Sequence, residues 1–220
     1  GKDPIELGTK IGDDVLSTDR DTVFPLQAAL GYEITQSLFV GEHTLLVEGP
    51  SDLLYLQWFQ RKLAALGRTS LDKRWTITPA GSIDKVAAFV TLFGGNKLHV
   101  AVLTDLAHGQ KGAVERLRGS ALLKTGHVLT ADAYAAKAEA DIEDLFGDDA
   151  YVDLVNQAYQ LADGHILTAT VGGNPQGRIV KRVETYFATL PPAVDEFSHY
   201  RPAEFLTQKG LDLALAQLEV

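Results

Sequence analysis

Thr44-Leu45-Leu46-Val47-Glu48-Gly49-Pro50-Ser51-Asp52 is a run of apolar residues that ends in a glutamate, turns at Gly49-Pro50 and restarts on Ser51-Asp52 ahead of Leu53-Leu54-Tyr55-Leu56. The order predicts a buried strand, a tight turn and a capped helix. Glu48 then sits at the carboxyl end of a strand in an α/β unit, where such folds collect their ligands. Asp52, on the first helical turn, points into the same crevice. A second apolar run, Leu98-His99-Val100-Ala101-Val102-Leu103-Thr104, also ends in an acid, Asp105. Two strands each tipped with a carboxylate describe a site for a hard divalent cation, because Mg²⁺ takes oxygen ligands.

Outward from this stretch the chain alternates strand and helix, the pattern of a mainly parallel sheet covered on both faces. Strand 44–48 leads to helix 51–66, strand 75–78 to helix 83–93, and strand 98–104 to helix 112–118; a fourth strand falls within 127–130. Acidic residues 139–144 precede a helix over 150–161. Residues 176–188 and 202–218 read as helices separated by Pro191-Pro192, a small helical subdomain packed on the sheet. Before the first strand, 1–21 reads as a connector with a short hairpin at 5–11, and 25–39 as an amphipathic helix with Pro25 near its start. The expected organisation is a connector and leading helix over 1–40, a catalytic core over 41–147 and a helical subdomain over 148–220. Trp58, Phe59, Phe89 and Phe93 fall at helical spacings and are expected in the core.

Composition narrows the class. The 220 residues suffice for one substantial core, and 45% hydrophobic with 22% charged content is ordinary for a globular protein. No apolar run approaches the roughly 20 residues that span a bilayer and no signal-peptide pattern opens the chain. With zero cysteines there are no disulfides, and any metal is held by oxygen or imidazole. A cytoplasmic setting without membrane contact is expected. Methionine is also absent, even at position 1, so the chain is expected to be an excised segment of a longer protein. The net charge of −9 argues against a general nucleic-acid binder, which is usually basic. A metal-dependent nuclease tolerates it, because the ions neutralise the carboxylates and meet the phosphate.

The residues quoted also carry a resemblance. A strand ending in Val47-Glu48-Gly49, a helix with Asp52, and a later strand ending in Asp105 resemble the Toprim catalytic domain of topoisomerases, bacterial primases and several nucleases. Leu46-Val47-Glu48-Gly49-Pro50-Ser51-Asp52, joined to Asp141-Ile142-Glu143-Asp144-Leu145-Phe146, is similar more narrowly to the nuclease half of the OLD (overcoming lysogenization defect) family. This implies a Rossmann-like α/β Toprim fold and a DNA endonuclease that uses two Mg²⁺ or Mn²⁺ ions. It further implies an N-terminal ATPase domain in the full-length protein, although no P-loop occurs here. A role in phage defence or DNA repair, sometimes beside a helicase, follows from the same resemblance.

The resemblance also distributes roles. Glu48 and Asp105 would be catalytic and hold metal, with Asp52 supporting. The usual Toprim Asp-x-Asp has Ala107 at its third position here, and OLD-type nucleases recruit acids from the later Asp-x-Glu segment, which points to Asp141 and Glu143. Those two share a face on an extended strand end and diverge on a helix. Lys181 is the candidate transition-state stabiliser, with Lys209 its competitor. From the residues themselves, Lys111 and Arg116 at a helix start are candidate phosphate contacts, and His108 is a loop histidine. Glu139, Asp144, Asp148 and Asp149 read as solvated surface charge. The rival readings are a non-catalytic Toprim-like interaction module, a small RNA-maturation nuclease and a small-molecule phosphohydrolase.

Overall fold

The structure is a computed structural model and describes residues 43–94, 99–124, 126–162 and 164–209. The sequence-stretch hairpin at 5–11, the helix over 25–39 and the last nine residues of the helix expected to end at 218 lie outside them.

Four strands form one all-parallel sheet: β1 His43–Val47, β2 Trp75–Pro79, β3 His99–Thr104 and β4 Val128–Thr130, in the order β2-β1-β3-β4. Helix α1 (Pro50–Ala65) joins β1 to β2, α2 (Ile83–Gly94) joins β2 to β3, and α3 (Lys111–Arg118) precedes β4. The short α4 (Asp132–Ala135) follows. A 3₁₀ turn at Ile142–Phe146 then leads into α5 (Asp148–Tyr159), α6 (Ile179–Phe187) and α7 (Tyr200–Lys209). The fold is therefore the expected α/β Toprim-like one.

Side-chain alternation along the strands explains the layers. Leu45 and Val47 of β1 share one face with Ala101 and pack against Leu56, Trp75 and Ile77. Leu46 faces the other way, with Val100, Val102 and Val128, against Val86, Phe89 and Val90 of α2 and Val114 and Leu117 of α3. Because β2 lies on one side of β1 and β3 on the other, the chain reverses direction across the sheet between β1 and β3. That reversal opens a crevice beyond the carboxyl ends of those two strands.

Helix α1 is covered on two sides. Tyr55, Trp58 and Phe59 turn away from the sheet and, with Phe146 and Tyr151, start a core that continues through Val155, Ile179, Val183, Ala203 and Leu206 of α5, α6 and α7. Phe146 is its hub: its ring centroid lies 4.5 Å from that of Phe59 and 5.1 Å, edge-on, from that of Tyr55. Trp58, Phe59 and Phe89 are buried, as expected from their spacing. Among the described residues no helix is long and apolar enough to cross a membrane.

Aromatic truncation at a hub of this kind removes transfer energy and leaves a cavity. Phe146→Ala is expected to lower stability by about 3–5 kcal/mol, read as a fall in the urea midpoint at unchanged slope.

Candidate metal centre

The turn after β1 is built differently from the simplest reading. Gly49, extended at φ −129° and ψ 169°, is the N-cap, and Pro50 occupies the first helical position, where its missing N–H costs nothing. Asp52 reaches back, and its Oδ2 accepts the Gly49 N–H at 2.9 Å. Asp52 thus stabilises the helix start while also lining the crevice. The helix, expected to begin at Ser51, begins one residue earlier, at Pro50.

Glu48 follows β1 directly. Its Oε1 accepts the Thr104 hydroxyl and, at 3.2 Å, the Asp105 N–H, which locks it across the gap between β1 and β3. Beyond β3 the chain makes an isolated antiparallel bridge between Leu106 and Ala140, with N–H to carbonyl distances of 2.9 and 3.1 Å. That bridge lays the acidic segment beside Asp105, whose Oδ1 accepts the Ile142 N–H at 3.0 Å.

Asp141 is extended, and Glu143 lies in the first turn of the 3₁₀ helix. Both line the crevice even though no strand carries them. The expectation that they converge only on a strand end is corrected: the tight 3₁₀ turn brings them to one cavity.

The resulting cavity, about 270 Å³, is lined by Glu48, Asp52, Asp105, Asp141, Glu143 and Glu184 together with Arg178, Lys181 and His199. Burial, reinforced by the charges of Asp52, Asp141, Glu143 and Glu48, pushes the Asp105 carboxyl up to about 10. Burial raises Asp52 to about 7 against the opposing Gly49 N–H, and neighbouring Glu143 and Glu48 add to the rise. Asp141 rises to about 6, burial outweighing its bond to Arg178.

Two cations came from outside the acidic motif. Arg178, at the N-cap of α6, donates to Asp141 Oδ1 at 2.6 Å. His199 stands 3.7 Å from Glu143 Oε1 and 2.8 Å from Glu184 Oε1, and these contacts raise it to about 9. The Tyr159 hydroxyl holds the histidine's segment by accepting the Ser198 N–H at 2.7 Å.

Asp144 and Asp148 are not surface charge, which corrects that reading. The Asp144 side chain is fully buried: Oδ2 accepts the Asp141 N–H at 2.9 Å, and Oδ1 accepts the Ile179 N–H at 3.0 Å and Lys137 Nζ at 2.6 Å. Asp148 takes Lys137 at 2.7 Å and the buried Arg182 at 2.5 Å. The spacing Asp141-x-x-Asp144 before Leu145-Phe146 was the signal, since it matches a reciprocal helix cap. Nothing in the sequence linked Arg178 or His199 to the acids, because both arrive by tertiary packing.

Lys181 lies at the rim of the cavity, exposed, with Nζ 2.6 Å from Glu184 Oε2. Lys209 ends α7 with Nζ 5.4 Å from the centroid of the Phe205 ring and does not line the cavity. Nor do Lys111 and Arg116, which sit on α3. Ala107 precedes a short 3₁₀ turn, His108–Gln110, and is also away from the cavity.

An all-oxygen donor set with buried, mutually repelling carboxylates is suited to a divalent cation. Asp141 Oδ2, buried and accepting no hydrogen bond, supplies an orphaned acceptor of the kind a cation satisfies. Among the described residues no three acid or histidine side chains form a ready coordination cluster.

A parallel sheet with carboxylates gathered at its topological switch point defines a Toprim-type α/β domain. Residues 39–106 match the family described as "Overcoming lysogenization defect protein-like, TOPRIM domain", so this stretch is similar to an OLD-like TOPRIM domain. The matched span contains Glu48, Asp52 and Asp105 and ends before Asp141 and Glu143. Comparison with curated proteins found no match, and neither did comparison with solved structures.

Two outcomes are expected. Asp144→Ala, which leaves the Asp141 and Ile179 N–H groups without their acceptor and Lys137 with Asp148 as its remaining carboxylate partner, costs about 2–6 kcal/mol in chemical denaturation. The second concerns pH. With Asp105, Asp52 and Asp141 raised, the folded state holds protons that the unfolded chain releases above about pH 4. His199, also raised, acts in the same direction above about pH 6.5. Metal-free stability therefore falls as pH rises from about 5 to about 9. Mn²⁺ raises the melting temperature more at the alkaline end, where it no longer competes with protons. Differential scanning calorimetry across that range checks the slope, and Asp105→Asn should flatten it.

Proposed function

We propose that this chain is the catalytic part of a divalent-metal-dependent nuclease that hydrolyses DNA phosphodiester bonds. The observation that supports it is the convergence of Glu48, Asp52, Asp105, Asp141 and Glu143 on one cavity whose rim carries Arg178 and Lys181.

Glu48 and Asp105 would hold the first cation, and the free Oδ2 of Asp141 with Glu143 would contribute to a second, with Asp52 supporting. Bound Mg²⁺ or Mn²⁺ supplies positive charge against the phosphate and lowers the pKa of water. The protein's own groups orient and neutralise. Thr104 and the Asp105 N–H fix the glutamate, so that Glu48 presents its carboxylate without searching rotamers. Arg178 occupies one oxygen of Asp141 and leaves the other for the cavity. Among the described residues Lys181 pairs with Glu184 on an exposed helix turn, a pairing of small net worth, so its ammonium can turn to a phosphoryl oxygen and stabilise charge developing there. The replacement for the acid absent at Ala107 is, in this reading, the 141–143 segment carried in by the Leu106–Ala140 bridge.

Nicking of supercoiled plasmid, compared in Mg²⁺, Mn²⁺ and chelator, tests the proposal. Cleavage is expected only with metal and more strongly with Mn²⁺, which binds such ligands more tightly. Glu48→Ala and Asp105→Ala should each reduce it by about 100-fold or more while circular dichroism stays unchanged. Undiminished cleavage in excess chelator, or by folded variants at these positions, would overturn it.

A further inference from the structure

The carboxylate cavity has a neighbour of opposite character. A groove of about 500 Å³ opens beside it, and Arg178 and Lys181 line both. Within the groove these two and Arg182 face a single acid, Glu139, whereas six acids line the cavity. Arg182 is committed through all three nitrogens to Asp148 and the wall carbonyls, whereas Arg178 gives one nitrogen to Asp141, so the adaptable donors are Lys181 and the rest of the Arg178 guanidinium, at the border between the two spaces. Neutral hydrogen-bonding side chains, Asn174, Gln176 and Thr185, complete the groove, and all three are exposed.

The groove is built rather than incidental. Its outer wall, 171–177, is fastened to buried Arg182, whose Nε donates to Val171 O at 2.8 Å and whose Nη2 donates to Ala169 O. Gly172 has φ +70°, and a Cβ there would meet Arg182 Cβ at 2.9 Å, so the wall lies on the arginine as closely as backbone allows. Lys137 ties the far end, donating to Gly177 O at 3.3 Å, and Asn174 Oδ1 accepts the Gln176 N–H at 3.1 Å. A wall held this way needs little ordering when a ligand arrives.

A polyanion entering an acid-lined cavity on a chain of net charge −9 needs a path where its neighbouring phosphates are not repelled. We propose that this groove carries the backbone of the DNA strand adjoining the scissile phosphate, with a flanking phosphate against Lys181 and Arg178 and a hydrogen bond from Gln176; Thr185, whose hydroxyl donates to Lys181 O at 2.9 Å, lines the path without donating to it. The inference rests on the nuclease reading and adds the direction in which the strand leaves the metal centre. Thr185 lies one helical turn beyond Lys181 on α6, so a charge placed there faces the same phosphate path.

The test uses Thr185→Glu and Gln176→Glu, with Thr69→Glu as a control of equal charge. Thr69 is exposed beyond the far end of α1, about 24 Å of helix from the site. Substrates are a single-stranded oligonucleotide and bis(p-nitrophenyl) phosphate, a lone diester too small to reach the groove, both with Mn²⁺. Each groove variant should raise KM for the oligonucleotide by about fivefold or more over the control and shrink the salt dependence of binding by roughly 0.7 per lost phosphate contact. The loss on the oligonucleotide should clearly exceed that on the diester, and Thr185→Lys should lower KM. If wild type cuts the oligonucleotide but the groove variants match Thr69→Glu, the groove inference is wrong and the nuclease reading stands. Equal losses on both substrates would also overturn it, because the effect would then be on the metal centre. If wild type cuts neither substrate and does not nick supercoiled plasmid, the nuclease reading itself fails; if it nicks plasmid alone, the same variants are compared on plasmid.

Discussion

The buried carboxylate of Asp144 is the interaction on which the rest of the site depends. One oxygen closes the 3₁₀ turn by accepting the Asp141 N–H, and the other joins Lys137 and the first amide of α6. A single side chain therefore sets the position of Asp141 and Glu143 relative to Arg178 and Lys181. The arrangement is affordable because every charge in it has a partner of opposite sign or a backbone donor; an unpaired carboxylate at this depth would be strongly destabilising. Lys137 and Arg182, bridged by Asp148, extend the same network beneath the groove wall.

Beside that satisfied network lies a frustrated one. Asp52, Asp105 and Asp141 are desolvated, and burial first, with neighbouring carboxylates adding to it, raises their pKa values. Arg178 and His199 offset part of it from the rim, but Asp141 keeps an orphaned oxygen. The Gly49 and Ile142 amides return part of the cost of burying these acids, and carboxylates perturbed this strongly in a crevice at a topological switch point mark a candidate functional site.

The family match and the tertiary structure meet at Leu106. The match ends there, and the same residue forms the bridge that brings Ala140, and with it Asp141 and Glu143, alongside β3. The family-matched part of the site thus holds Glu48, Asp52 and Asp105, while the other charged residues that line the cavity come from the chain beyond. Helices α5, α6 and α7 take part because they share a core with α1 through Trp58, Phe59 and Phe146, so packing on the back of α1 governs what stands at its front.

Local pattern carried the sheet and the first half of the site. Strand, turn and helix alternate visibly from Thr44 onward, and a strand-end acid such as Glu48 or Asp105 is placed by backbone periodicity alone, within a residue or so of where the structure has it. The Asp141-x-Glu143 pair was legible as acids but not as geometry, since its placement depends on an isolated bridge and a 3₁₀ turn that no periodicity announces. Asp144 looked like one more surface acid because its partners, Lys137 and the amide of Ile179, lie 7 residues before it and 35 residues after it. Arg178 and His199 reach the acids across 37 and 56 residues of chain, counted from Asp141 and Glu143. Elements and strand-end residues were the sequence's to determine, because they follow from hydrophobic period and backbone conformation within a few residues. Which distant charges meet in the crevice was decided only by the tertiary fold, because burial and electrostatic pairing act through space and leave no periodic trace along the chain.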